Sequence, residues 1–142
     1  MFTDIDETRK DWDAISYVVD ANLMSGYPDG SFRPDETVTL GEICCLISKM
    51  LPPENESIDF LPGHWARGYA EYCKKNGYIP GYTKTRAKWL NKALTYKQLH
   101  EIISCIIAKK SISFDLDQFI SLGQDVNHRE ITRAALARLL YK

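Results

Sequence analysis

The sequence predicts an all-α protein built from repeated helix–loop–helix units. Three observations carry that prediction. First, three segments place an apolar residue and a threonine just ahead of an apolar stripe at helical spacing: "VTLGEICCLISKML" (Val38–Leu51), "LTYKQLHEIISCIIAKK" (Leu94–Lys110) and "ITRAALARLLYK" (Ile131–Lys142). Second, another amphipathic stretch, opening near a tryptophan, lies upstream of each of the first two. Third, the landmarks recur at a steady interval. Trp12 and Trp65 are 53 residues apart, the pairs Gly26-Tyr27 and Gly81-Tyr82 are 55 apart, and Thr39 and Thr95 are 56 apart. A tandem repeat of about 55 residues is the simplest account.

Taken in order, "DWDAISYVVDANL" aligns Trp12, Ile15, Val19 and Leu23 on one face of a first helix. "YPDGSFRP" follows, with a Pro-Asp-Gly turn, Phe32 returning to the core and Pro34 blocking helix ahead of Thr39. Thr39 then starts a helix. At the N-cap its hydroxyl accepts a hydrogen bond from a free N–H of the first turn, worth about 1 kcal/mol. Glu42, three residues on, completes a capping box, and Ile43, Leu46, Ile47 and Met50 form the stripe. In the second unit "HWARGYAEYCKKNGY" aligns Trp65, Tyr69, Tyr72 and Cys73. Its loop, "YTKTRAKWLNKA", has neither Pro nor Gly and carries Lys84, Arg86, Lys88 and Lys92 around Trp89. Thr95 and Gln98 form the second box, ahead of Leu99, Ile102, Ile103 and Ile106. The third unit is short. Thr132 follows Thr95 by only 37 residues, and Ala135 leaves half a box before Leu136, Leu139 and Leu140. No Gly-Tyr loop separates "FDLDQFISL" from that helix. The unit boundaries are residues 1–53, 54–110 and 111–142, within one domain.

Composition bounds the function. The chain has 142 residues, 44% hydrophobic and 26% charged, as expected of a globular domain with a real core. Apolar runs such as "IISCIIA" fall well short of the roughly 20 residues that cross a bilayer, so membrane insertion is not expected. The start, "FTDID", has no basic segment or apolar run of the kind a signal peptide needs, and the chain reads as a domain of a longer protein. The net charge of −1 hides an asymmetry. Residues 1–53 hold ten acids and four bases, residues 54–110 five acids and ten bases, and residues 111–142 four of each. Either the acidic and basic thirds pack together, or the basic third meets an anionic partner.

Nothing in the sequence points to catalysis or a cofactor. Cys44, Cys45, Cys73 and Cys105 show no C-x-x-C and no zinc spacing with His64, His100 or His128. They read as buried thiols, with a Cys73–Cys105 disulfide as the other option. "SLGQD" is no nucleophile elbow, so no enzyme is expected. "DLDQF" and "DVNH" lack the Gly and distal Glu of a calcium loop. The basic loop around Trp89 comes without any nucleic-acid motif in an acidic domain, so nucleic acid is not the expected partner.

The stretch "FTDID…DWDAISYVVDANLMSGYPDGSFRPDETVTLGEI" resembles an S-layer homology repeat. That family shows an F-x-D start, a Trp-Ala helix, a Gly-Tyr-x-Asp-Gly-x-Phe-x-Pro loop and an I-T-R-A-E helix start. The second unit is similar through "IDFLPGHWARGYAEY", with Asp59 standing where Asp4 does, then "NGYIPGY" and "LTYKQL"; the third retains "ITRAALARLLYK". The resemblance implies an all-α fold in which three repeats stand in a pseudo-threefold arrangement around a central bundle. It implies a non-covalent anchoring module of an exported Gram-positive-type surface protein. The partner would be an anionic, typically pyruvylated, secondary cell-wall polymer or a peptidoglycan-linked polysaccharide. Another surface protein is the partner on the alternative reading, a scaffold module that has lost polymer binding. The site residues it implies are Arg133, Asp4, Trp12, Tyr27, Asp59, Trp65 and Tyr82. A helix N-terminus favours anions, an Arg beside the cap adds a fork suited to a carboxylate, and aromatics stack on the sugar. The family's Arg is replaced by Leu40 and Tyr96 in the first two units and survives only as Arg133. Two of the three anion sites are therefore expected to be weak or absent. For Trp12 and Trp65 the competing expectation is core packing, for Tyr27 and Tyr82 loop anchoring, for Asp4 and Asp59 local turn formation, and for Arg133 a solvated first-turn side chain.

Overall fold

A computed structural model describes residues 2–55, 57–109 and 129–141. The stretches "FDLDQFISL" and "DVNH" lie outside those residues. The fold is all-α. The described residues contain six helices: α1 (Trp12–Asp20), α2 (Leu40–Met50), α3 (Arg67–Lys75), α4 (Ala87–Leu90), α5 (Tyr96–Lys109) and α6 (Arg133–Leu140). They contain no strand, only isolated backbone bridges.

The capping chemistry sets the helix starts. Thr39 Oγ1 accepts from the Glu42 N–H at 3.2 Å, and Glu42 Oε1 accepts from the Thr39 N–H at 3.4 Å. Thr95 and Gln98 repeat the exchange at 3.2 and 3.0 Å. Thr132 accepts from the Ala135 N–H at 3.1 Å, and Ala135 has nothing to give back. All three stripes face inward. Ile43, Leu46 and Ile47, then Leu99, Ile102, Ile103 and Ile106, then Leu136 are buried, with Met50, Leu139 and Leu140 half-buried against them.

Ahead of these helices the backbone closes on itself. The Val38 N–H donates to the Ile131 carbonyl (2.9 Å), the Ile131 N–H to the Leu94 carbonyl (2.9 Å), and the Leu94 N–H to the Val38 carbonyl (2.7 Å). A second set joins the first helical residues to the neighbouring unit: Leu40 to the Lys92 carbonyl, Tyr96 to that of Arg129 and Arg133 to that of Glu36. Each group comes from the position before the threonine, or from one a fixed step away. The three threonine-started helices therefore meet at equivalent atoms, and helix-start N–H groups that would otherwise lack partners are satisfied.

Around this junction α1 packs on α6, and α3 and α4 pack on α2. The segment before α3 packs back on that helix only because Gly68 is glycine: a Cβ there would fall 1.9 Å from the Asp59 carbonyl oxygen. Buried between these helices are Cys44, Cys73 and Ser48. Ser48 Oγ donates to the Cys44 carbonyl at 2.8 Å, and Cys73 Sγ to the same carbonyl at 3.5 Å. All four cysteines are free, so the Cys73–Cys105 disulfide is not formed; Cys73 instead neighbours Cys44. Its hydrogen bond with Cys73, and burial, hold the Cys44 thiol well above the usual range.

Two elements differ from expectation. The first helix ends at Asp20, and Asn22 takes a left-handed turn (φ 58°) before Leu23, so Leu23 packs from the turn. The loop around Trp89 contains the short helix α4, anchored by the fully buried Leu90.

Candidate functional site

The first loop is built from its own side chains. The Tyr27 N–H donates to the Ser31 carbonyl (2.8 Å) and the Gly30 N–H to the Tyr27 carbonyl (3.0 Å), with Gly30 in the left-handed region at φ 87°. Asp29 accepts from the Ser31 N–H (2.9 Å), Ser31 Oγ (2.6 Å) and Arg33 (3.2 Å). The Ser31 hydroxyl foremost, then its N–H, pulls the Asp29 carboxyl down to about 2. Asp4 lies 28 residues before Phe32 yet accepts from the Phe32 N–H (2.9 Å) and the Arg33 N–H (2.7 Å). Burial pushes the Asp4 carboxyl up, but those two N–H groups outweigh it, and it titrates below the usual range. Asp4 thus ties the chain start to the loop, and Phe32 turns into the core with no exposure.

That loop receives Arg133. Its guanidinium donates from Nε to the Phe32 carbonyl (2.9 Å) and from the two terminal nitrogens to the Ser25 carbonyl (2.5 Å) and Glu42 Oε2 (3.3 Å). Its centre lies 4.6 Å from the Phe32 ring and 4.9 Å from the Tyr27 ring. Arg133 is only 5% exposed. The expected solvated first-turn arginine is instead a buried clamp between α6 and the first loop, because the loop from the first unit wraps over the start of the third. One edge faces a groove of about 180 Å³, lined also by Ser25, Glu42, Lys49 and Trp65.

The remaining candidates fall in different places. Trp65 is 53% exposed and lines the Arg133 groove, which corrects the expectation of core packing: it lies two residues before α3 begins, so the helical stripe does not include it. Trp12 is half-buried against the core. Tyr27 stacks with the Arg33 guanidinium, 3.8 Å away, as well as with Arg133. Burial raises the Tyr27 hydroxyl above its usual range despite the nearby Arg133 charge. Tyr82 is 74% exposed, and its hydroxyl donates to Glu101, which pushes the phenol up. Tyr82 lines a second groove, between the α2 start and the second loop. Asp59 is exposed and, unlike Asp4, its carboxylate makes no hydrogen bond among the described residues. The structure therefore brings Arg133 and Trp65 to one groove, with Tyr27 stacked on Arg133 outside its lining, puts Tyr82 in another, and leaves Asp4, Trp12 and Asp59 in neither. Sequence reading missed Lys49 and Glu42 as groove residues. The signal was available: the two are seven residues apart on α2, on the flank of the core stripe beside Leu46.

The fold and the groove define a helical repeat module with a recessed polar-aromatic cleft. The S-layer homology domain model matches residues 2–44 of the chain. A cellulosome-anchoring protein of Acetivibrio thermocellus is 37% identical over 78 residues, covering 49% of this chain and 17% of that protein. Cell surface glycoprotein 1 of the same organism is 29% identical over 96 residues, covering 57% of this chain and 4% of that protein. The chain thus spans a small part of either relative. Among the described residues no helix is long and apolar enough to cross a membrane.

Proposed function

We propose that this chain is a non-catalytic anchoring module that holds an exported protein on the cell surface by binding an anionic, pyruvylated wall polysaccharide. The observation that carries the reading is the match of residues 2–44 to the S-layer homology domain, whose loop and helix start build the Arg133 groove. The name of the cellulosome-anchoring relative supports it. The groove supplies suitable chemistry: a half-exposed indole for a sugar face, Lys49 as an exposed cation, and an arginine edge held by its carbonyl partners. Asp4 and Tyr27 act by shaping the loop, and Trp12 and Asp59 by positioning their units. The three units stand in a pseudo-threefold arrangement, and the ring of hydrogen bonds among Val38, Ile131 and Leu94 supports it.

One observation favours the scaffold reading. Glu42 already pairs with Arg133 at 3.3 Å, so an incoming carboxylate meets a neutralised cation. The test is retention on purified cell wall, with and without its polymer, for the wild type, Trp65→Ala and Arg133→Lys. Polymer-dependent retention that Trp65→Ala abolishes is the expected result. Equal retention on stripped wall, or none on either, rejects anchoring and leaves the scaffold reading.

A further inference from the structure

We propose that Cys44 of α2 and Cys73 of α3 are a latent cross-link: a low-molecular-weight disulfide oxidises the pair to a cystine that staples the two helices. This goes beyond the anchoring reading and does not depend on it. The two helices meet through small side chains. Gly41, Cys44 and Ser48 recur at spacings of three and four along α2, and Ala66, Ala70 and Cys73 at four and three along α3 and its cap. All six are buried. The approach is so close that a Cβ at Gly41 would lie 3.0 Å from the Ala66 Cβ. A disulfide needs β-carbons roughly 3.5–4.5 Å apart, a separation that small facing residues permit.

The sulfur of Cys73 lies against residue 44. Cys73 Sγ is 3.5 Å from the Cys44 carbonyl oxygen and 3.7 Å from Ser48 Oγ, and the Cys44 thiol donates to it. That hydrogen bond foremost, then Ser48, lowers the Cys73 thiol although burial opposes it, so Cys73 is the partner that forms the thiolate more readily. The other two cysteines are placed differently. Cys45 lines the Arg133 groove, Cys105 belongs to α5, and both are half-buried. Cys44 and Cys73 have no exposure at all and line neither groove described above.

The exchange balances. While α2 and α3 are apart, during folding or opening, the Cys73 thiolate attacks one sulfur of the oxidant R–S–S–R, forming Cys73–S–S–R and releasing RS⁻. The Cys44 thiol gives up its proton, and its sulfur attacks Cys73 Sγ and expels the second RS⁻. The two cysteines together lose two electrons and two protons, and R–S–S–R becomes two RSH. Once the helices close, the bond is out of reach of solvent thiols, because neither residue is exposed. It joins positions 29 residues apart, and the stabilisation comes from restricting the unfolded chain. It also ties together parts of the Arg133 groove: α2 carries Glu42, Cys45 and Lys49, and Trp65 stands just ahead of α3.

The experiment uses the whole chain and a Cys45→Ser/Cys105→Ser variant, in which Cys44 and Cys73 are the thiols left. Each is refolded from urea in oxidised glutathione and, in parallel, in dithiothreitol. Free thiols are counted in denaturant, and the peptides are mapped by mass spectrometry. In oxidised glutathione the variant is expected to lose both thiols, and both proteins to yield a joined Cys44–Cys73 peptide pair. The bonded form is expected to melt about 10 °C above the reduced one. Dithiothreitol is expected to cleave the bond at least about tenfold more slowly in native buffer than in urea. Thiols that persist after oxidative refolding, Cys73 joined instead to Cys45, Cys105 or glutathione, a bonded form that melts no higher, or equal cleavage rates each overturn the proposal. Should the variant not fold, the peptide map and melting shift of the unsubstituted chain decide alone.

Discussion

Arg133 occupies the first turn of a helix, where the backbone already carries partial positive charge and a cation is unfavourable. Glu42, the two carbonyls and the flanking rings offset that cost. Removing the guanidinium leaves Glu42 and two inward carbonyls without their partner. Arg133→Met is expected to lower stability by about 3 kcal/mol in urea denaturation, with Arg133→Lys between the two. An unchanged midpoint would mean that the clamp holds nothing. Asp29 makes a second prediction at this scale. Its carboxyl falls from 3.8 to about 2 on folding. A depressed folded value means its contribution is complete above the unfolded pKa and is lost as pH falls through the folded one. Asp4 and Asp6 shift the same way. The melting temperature is therefore expected to drop between about pH 4 and about pH 2, and less steeply in Asp29→Asn. Identical slopes for both proteins would remove Asp29 from the loop's stability.

At the scale of elements, the helix starts obey local rules. Thr39→Ala and Thr95→Ala are each expected to cost about 1 kcal/mol, because each breaks a reciprocal box, and Thr132→Ala somewhat less. Chemical denaturation of the three variants checks the order; a larger loss at Thr132 would contradict it. These elements were legible in the sequence because everything they need lies within four residues: a cap, its partner and a stripe. The Pro-Asp-Gly loop and the inward Phe32 were legible for the same reason. Other features depend on what the chain meets from far away. Trp65 looked like the first residue of a stripe and is exposed because α3 begins after it. Arg133 looked solvated, and nothing nearby in sequence announces a loop 101 residues upstream that covers it. The Cys44–Cys73–Ser48 cluster and the lysines gathered on Trp89 are likewise products of packing.

At the scale of the whole molecule, the three threonine-started helices are joined just ahead of their caps by equivalent backbone hydrogen bonds. The amides of Val38, Leu94 and Ile131 are outside helices, yet each donates to a neighbouring unit at 2.7–2.9 Å. Breaking any one requires separating units, so all three are expected to exchange with solvent deuterium only through global opening, with matching protection. Rapid exchange at one of them would show that its unit can detach alone.

A seam stitched by peptide groups asks little of the side chains beside it. Valine, leucine and isoleucine occupy its three equivalent places, and any residue with an N–H and an apolar flank would serve. Mutation can therefore rewrite the outer surface of one copy without loosening its siblings. A fold joined in this way leaves the side chains outside the seam free to differ from one helix start to the next, as Leu40, Tyr96 and Arg133 do.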